Sequence, residues 1–437
     1  MSRILIKNAL ILTANSEMEI LEGDILVCGN HIEKIASKID EPADEIFSAE
    51  GLLITPGFIQ THVHLCQVLF RNLADDLSLM DWLQNKIWPY EAGHTAESIR
   101  LSARLGISEL FLSGTTTIMD MGTVQHQDAI FEILAESGMR AVAGKAMMDF
   151  GYRPEGLQET TRESLDESLA LLNKWHGFDE GRLQYAFAPR FVLSCSDELL
   201  RETGKLAAEN QVIYHSHASE NRDEAELVRQ RFGVSNIQVF EKLGIANENL
   251  CLAHCIWTDD IDKDLMTERD IKVLHCPSAN LKLGSGIAPI PDYLDRGMTI
   301  SLGADGAPCN NNLDIFQEMR LASLIQKPIH GPKIMPAEQV FRMATIEGAK
   351  TLRQEKEIGS IEPGKKADLT FIKINQVHSI PFDNVYSKLV YSTTASDVRH
   401  VMVNGRWVVK ERHLETIDES AVVDSVLNRI NHQKIGV

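Results

Sequence analysis

From Pro56 onward the chain repeats one texture, in which short β-rich runs alternate with stretches whose apolar residues recur at helical spacing. Eight such runs stand out: GFIQTHVH, TTTIMDMG, RAVAGKAMM, LQYAFAPR, QVIYHSHAS, NLCLAHCI, KVLHCPSAN and TISLGADG. Segments such as ESIRLSARLGISELFLSG at 97–114 separate them. Eight alternations over about 300 residues predict an α/β protein built as a (β/α)8 TIM barrel. Polar residues stand at the C-terminal ends of the runs: His62, His64, Asp120, Lys145, Arg190, His217, His254, His275 and Asp305. Barrels assemble their active sites on that face, whereas scattered core histidines have no reason to follow strand ends.

The two chain ends read differently. Ile4 and Ile6, then Ile25 to Val27 before the turn pair Gly29-Asn30, then Ile32, suggest short strands. Beyond the helical stretch 336–352, strand texture returns in ADLTFIKI and VRHVMVNGRWVVKERHL, with Asn404-Gly405 as a turn. We expect residues 1–56 plus 353–437 to form one small composite β domain beside a barrel of residues 57–352.

Composition narrows the function classes. At 437 residues the chain exceeds the roughly 150 of an average domain, so a sizeable core is available. Forty-three Lys+Arg against 62 Asp+Glu give a net charge of −19, which argues against a generic nucleic-acid or polyphosphate surface. No run approaches the roughly 18 apolar residues of a membrane span. The first residues, interrupted by Lys7 and Asn8, read as a strand rather than a secretory leader. Seven cysteines, an odd number mostly inside apolar runs, fit reduced thiols in a cytoplasmic protein.

The chemistry concentrates at the strand ends. In His62-Val63-His64 the two imidazoles face the same side of a strand and can reach one cation. Alone the pair is a weak signal, but His217 ends the fifth run and Asp305 the eighth. Three imidazole nitrogens and a carboxylate suit zinc or iron(II). His215 competes with His217 for this role. Glu220, three residues beyond His217, favours His217, because a carboxylate there can move protons to and from an activated water; the bland alternative is a solvated loop Glu. His254 is placed to hydrogen-bond the attacking oxygen or the oxyanion. Cys251, Cys255 and Cys276 with His254 do not make a structural zinc site, since closely paired ligands are needed and Cys251 and His254 fall on opposite strand faces. His275 either lines the pocket or supports the mouth of the barrel. The chain has no G-x-S-x-G elbow, and Cys66 lacks an evident base partner. With no G-x-G-x-x-G or P-loop either, a nucleotide cofactor is not indicated.

Taken together, PGFIQTHVH (56–64), SGTTTIMD (113–120), HASE (217–220), LAHC (252–255), HCPSANLKLGSGIAP (275–289), LGADGAPCNNNLD (302–314) and GSIEPGKKADL (359–369) resemble the amidohydrolase superfamily. The likeness is to its branch of cytosine, guanine and nucleoside deaminases and chlorohydrolases, and it covers almost the whole chain. It implies a barrel carrying a small β-sandwich made from both termini. It also implies metal ligands His62, His64, His217 and Asp305, with Glu220 as proton shuttle and His254 with Asp305 orienting the hydroxide. Two-metal members carry a carboxylated Lys on the fourth strand; AFAPR has none, so one divalent ion, zinc or iron(II), is expected.

Two substrate signatures mix. Trp82 and Glu91 in SLMDWLQNKIWPYE match the nucleoside contacts of S-adenosylhomocysteine and 5'-methylthioadenosine deaminases, with Glu91 at the ribose hydroxyls. A His expected after the fourth strand is instead Arg190, and Arg190 with Gln67 resembles the base contacts of guanine deaminases. Groups that carry both, the 5'-deoxyadenosine deaminases, are most similar overall. The plainer readings make Trp82 and Trp88 core aromatics and Arg190 a salt-bridge residue at the mouth. The resemblance implies hydrolytic deamination of a small-molecule purine nucleoside, with a guanine-type base deaminase or triazine chlorohydrolase as the alternative. It further implies a homo-oligomer, a dimer or tetramer, with neither nucleic-acid nor membrane partners. A barrel that had lost its chemistry would be expected to lack ligands that are all present here.

Overall fold

The computed structural model describes residues 2–435. Eight strands correspond to the eight runs: β1 (Phe58–Val63), β2 (Thr115–Met121), β3 (Arg140–Gly144), β4 (Leu183–Tyr185), β5 (Tyr214–Ala218), β6 (Leu250–His254), β7 (Lys272–His275) and β8 (Ile300–Leu302). They form two four-stranded parallel sheets, ordered β4-β3-β2-β1 and β5-β6-β7-β8. Parallel bridges meet at both seams: Phe187 with Tyr214 and Phe191 with His217 on one side, Val63 with Asp305 on the other. Every residue of β1 and β2 is buried, as expected of parallel strands covered on both faces.

Helices supply that cover. Ala96–Leu112 begins at Thr95, whose hydroxyl accepts the Ser98 N–H while the Ser98 hydroxyl returns to the Thr95 N–H. Its buried residues Ile99, Ala103, Ile107 and Leu110 recur at helical spacing and pack toward the strands.

The third and fourth runs are interrupted. Short strands Ala146–Met147 and Ala188–Pro189 pair in parallel just beyond β3 and β4. The backbones approach closely at the break: a Cβ on Gly144 would stand 2.0 Å from the Ala186 carbonyl oxygen.

The chain ends share one nine-stranded sheet. Leu52–Pro56 lies antiparallel to Leu369–Lys373, which joins the N-terminal strands to those at 398–403 and 406–410. Asn404 and Gly405 both adopt left-handed backbone (φ 53° and 74°), the conformation a two-residue hairpin turn requires. Gly405 cannot carry a side chain, because a Cβ there would be 2.1 Å from the Gly29 carbonyl of the other hairpin turn. Ile6, Ile25, Val27, Leu369, Phe371 and Met402 share one hydrophobic cluster across this sheet.

Strand texture does not hold throughout 353–437. Val385–Tyr391 and Glu419–Ile435 are helices, packed respectively on the helices Ile315–Leu324 and Ala337–Met343 and on Ala96–Leu112. All seven cysteines are free thiols. Among the described residues no helix is long and apolar enough to cross a membrane.

One buried ion pair fastens the terminal sheet to the parallel strands. Arg140, at the start of β3, donates from Nε to Asp368 Oδ2 (2.6 Å) and from Nη2 to Oδ1 (3.1 Å). Asp368 Oδ1 also accepts the Asn404 N–H at 2.6 Å. Both side chains are 3% exposed. Asp368→Ala would leave a guanidinium buried without its partner, a loss of about 3–5 kcal/mol. We expect a marked fall in the urea midpoint, whereas a change under about 1 kcal/mol would show that the pair contributes little.

Candidate metal centre

His62 lies in β1 and His64 is the first residue beyond it. Asp305 N donates to the His62 carbonyl at 3.0 Å, so the end of β8 is pinned to the end of β1 and the Asp305 side chain is carried to the two imidazoles. Asp305 Oδ1 lies 3.4 Å from His62 Nε2 and 3.3 Å from His64 Nε2. With His217, the four donor atoms all fall within 4.8 Å of one another.

Hydrogen bonds on the far side of each ring fix its orientation. His64 Nδ1 donates to the Met121 carbonyl (2.7 Å) and His217 Nδ1 to the Arg190 carbonyl (2.7 Å), leaving Nε2 as the free lone pair on both. His62 Nδ1 meets His215 Nε2 at 2.8 Å. His62 Nε2 is buried without a hydrogen-bond partner among the described residues. Such outer contacts are what orient ligating imidazoles.

Electrostatics keep the rings neutral. Burial, and then the neighbouring His217, hold His62 well below the usual imidazole range; burial and His62 do the same for His64. Burial followed by His254 brings His217 down to about 3. Burial alone would raise Asp305, but His254, His64 and His217 outweigh it and hold the carboxyl below its ordinary value. An orphaned nitrogen among three neutral imidazoles and an ionised carboxylate is a donor set that fits a divalent ion such as zinc or iron(II).

Glu220 and His254 stand at the edge of this cluster. His254 Nε2 is 3.5 Å from Glu220 Oε2 and 3.8 Å from Asp305 Oδ2. Burial pushes the Glu220 carboxyl up to about 7, where it can both hold and release a proton near neutral pH. Three non-glycine residues here have left-handed backbone: Ser219 (φ 52°), His254 (φ 73°) and Asp305 (φ 63°). Local strain of this kind gathers at functional sites.

His64, His217, Glu220 and Asp305 open into a cavity also lined by Gln67, Trp82 and Arg190 with Leu79, Leu83 and Leu283. Trp88 sits in the hydrophobic cluster beside Trp82 and does not line the cavity.

Glu91 lies behind this wall. Arg190 Nη1 donates to Glu91 Oε2 (2.6 Å), Arg190 Nη2 to Oε1 (3.2 Å), and Gln67 Nε2 to Oε1 (2.9 Å). The sequence reading divided these three residues between ribose and base, while the structure joins them in one buried network. Other strand-end residues stand apart from the cluster. Lys145 pairs with Glu159 at 2.7 Å, and Asp120 Oδ1 accepts the Leu65 N–H at 2.8 Å, holding the turn after His64. His275 is fully buried with both ring nitrogens unpartnered among the described residues.

Sequence reasoning missed Glu224. Its Oε2 accepts the Glu220 N–H at 3.2 Å, its Oε1 accepts the Asn236 side-chain amide, and it lines the cavity. The one available signal was its spacing of four from Glu220, which on a helix reads equally as a solvated face.

A model described as the amidohydrolase family matches residues 53–408. The chain belongs to that family. It is 38% identical over 407 residues to a 5'-deoxyadenosine deaminase of Methanothermobacter thermautotrophicus, covering 93% of each chain. It is 37% identical over 413 residues to a 5-methylthioadenosine/S-adenosylhomocysteine deaminase of Thermococcus onnurineus, covering 94% of this chain and 95% of the other. Among solved structures, an adenosine deaminase from Xanthomonas campestris with bound zinc superposes with a TM-score of 0.92 at 26% identity, over 99% of both chains.

The Arg190–Glu91 pair of this amidohydrolase is open to a stability test. Glu91→Ala or Arg190→Ala alone leaves a buried charge unpaired, at about 3–5 kcal/mol, whereas Glu91→Leu with Arg190→Met removes both charges and is expected to cost less than either single change. Thermal midpoints of the three variants check this. A double variant as unstable as the sum of the singles would show that the pair contributes little as a pair.

Proposed function

We propose that this protein hydrolyses the 6-amino group of an adenine nucleoside (5'-deoxyadenosine, 5'-methylthioadenosine, S-adenosylhomocysteine or adenosine), giving the inosine analogue and ammonia. The carrying observation is the convergence of four metal-donor atoms with Glu220 and His254 on one cavity whose wall mixes polar groups with Trp82 and leucines. The names of the similar deaminases add support. We also infer that β1–β8 close as a (β/α)8 barrel over residues 57–352, with a β-sandwich from 1–56 and 353–437. The parallel bridges at both seams and the cluster around Phe371 support that architecture.

His62, His64, His217 and Asp305 would hold the metal. A divalent ion there supplies Lewis acidity that makes a water nucleophilic at neutral pH. Glu220 takes a proton from the attacking water and passes it to purine N1, which makes C6 electrophilic. As the C6–O bond forms, His254 and Asp305 hydrogen-bond the new oxygen. Glu220 then relays the remaining proton of the new C6 hydroxyl to the amino group, the C6–N6 bond breaks as the C6 carbonyl forms, and ammonia leaves. Trp82 and the leucines of the cavity wall exclude water around the purine.

A second reading, a guanine-type base deaminase, draws on Arg190 and Gln67 lining the cavity while Glu91 stands behind them. Ammonia release across adenosine, 5'-deoxyadenosine, methylthioadenosine, adenosylhomocysteine, guanine and a chlorotriazine separates the two. Turnover of guanine alone would overturn the nucleoside reading.

Glu220→Gln is expected to retain metal and lose at least about two orders of magnitude in kcat, the scale of general acid–base loss. Near-normal turnover in that variant would remove Glu220 from the proton-transfer role. Chelation should abolish ammonia release, and added zinc or iron(II) should restore it.

A further inference from the structure

We propose that His254, Cys276 and Asp305 form a second, softer cation site beside the first, and that a thiophilic divalent ion bound there switches the enzyme off. This rests on the metal centre proposed above, because Asp305 is shared. Donor atoms of the three residues lie within 4.8 Å of one another, and all three are buried. Asp305 faces both ways: Oδ1 is toward His62 and His64 at 3.4 and 3.3 Å, Oδ2 toward His254 at 3.8 Å. A carboxylate that presents one oxygen to each of two donor sets has the arrangement that bridges paired ions in two-metal hydrolases.

The other two donors are prepared for the same task. His254 Nδ1 is held by Asn280 Oδ1 at 2.8 Å, which turns Nε2 toward the site. Among the described residues the Cys276 thiol makes one hydrogen bond, a long one of 3.7 Å to the Leu274 carbonyl. Imidazole, thiolate and carboxylate together suit Zn2+ or Cd2+. On binding, the S–H bond breaks, an S–metal bond forms and the proton passes to water, so binding weakens as pH falls. Of the thiols on and beside these strands, Cys276 is the one whose donor atom gathers with His254 and Asp305 among the described residues.

Occupancy would be inhibitory for a geometric reason. His254 and Asp305 are the residues assigned above to the oxygen on C6, and Nε2 and Oδ2 are the atoms they turn toward each other. An ion between them occupies both and also engages the partner that Glu220 approaches at 3.5 Å.

The test uses the full-length, chelator-stripped protein titrated with Cd2+, following bound stoichiometry by dialysis and the near-ultraviolet charge-transfer band of a cadmium thiolate. Wild type should bind one equivalent without the band and a second with it. Cys276→Ala should bind only the first, and Cys309→Ala, which alters the other thiol near Asp305, should keep the band. In parallel, excess Zn2+ should lower wild-type turnover about a hundredfold, the scale of losing one oxyanion donor, and leave Cys276→Ala turning over at its one-equivalent rate. A single equivalent with no band overturns the second site while leaving the first intact. A second equivalent that survives Cys276→Ala also overturns it. A band already present at the first equivalent places the thiol in the primary centre and overturns a separate site. Binding of no equivalent at all sinks the metal centre of the proposed function, and this inference with it.

Discussion

The backbone hydrogen bond from Asp305 N to the His62 carbonyl sets the geometry on which the rest of the site depends. It joins the first and last parallel strands at the level where the ligands converge. A register slip of one residue would turn His62 and His64 away from Asp305, because alternate residues face opposite sides of a strand. Gly303 shows how closely the two strands approach: a Cβ there would stand 2.6 Å from the His62 oxygen and 2.8 Å from its nitrogen. The chain accepts a left-handed Asp305 at this junction, a conformation that costs about 1–3 kcal/mol and persists only where surrounding packing holds it.

The strand-end pattern was legible because it rests on two local periodicities, and the eight runs correspond to β1–β8, with histidines at the ends of β1, β5, β6 and β7. Partners far apart in the chain were not legible. Strand position alone could not decide between His215 and His217. The structure shows how both are used, His217 toward the cluster and His215 behind His62, 153 residues away in sequence. Lys145 obeys the strand-end rule and yet turns to Glu159, an ion pair no periodicity encodes. Glu91 reads as an acceptor when considered alone, and only its 99-residue contact with Arg190 shows both of its oxygens engaged. The helix Glu419–Ile435 carries too weak an apolar stripe to announce itself, although Val422 is buried.

Electrostatics tell the same story at another scale. The chain's net charge of −19 says nothing about the cavity, where the one guanidinium in the wall is neutralised by Glu91 and the imidazoles are kept uncharged by burial. Burial raises the Glu220 and Glu224 carboxyls to about 7 each, so this corner of the site is sensitive to single protons. Glu224 accepts the N–H of Glu220 just after the strained Ser219, which ties the conformation of Glu220 to a second buried carboxyl.

Arg190 links the metal cluster to the cavity wall through two separate parts of one residue. Its carbonyl accepts both the backbone N–H of His217, at 3.0 Å, and the ring Nδ1–H, at 2.7 Å, and so fixes which nitrogen faces the cluster. Its guanidinium holds Glu91 and, through it, Gln67. The first function belongs to the backbone and survives any side chain that keeps the strand in place. The second is a property of the side chain alone. The side chain at position 190 can therefore change, as between Arg and the His expected from the nucleoside branch, without disturbing the orientation of His217. That separation gives a physical reason why one ligand cluster can serve pockets of different specificity.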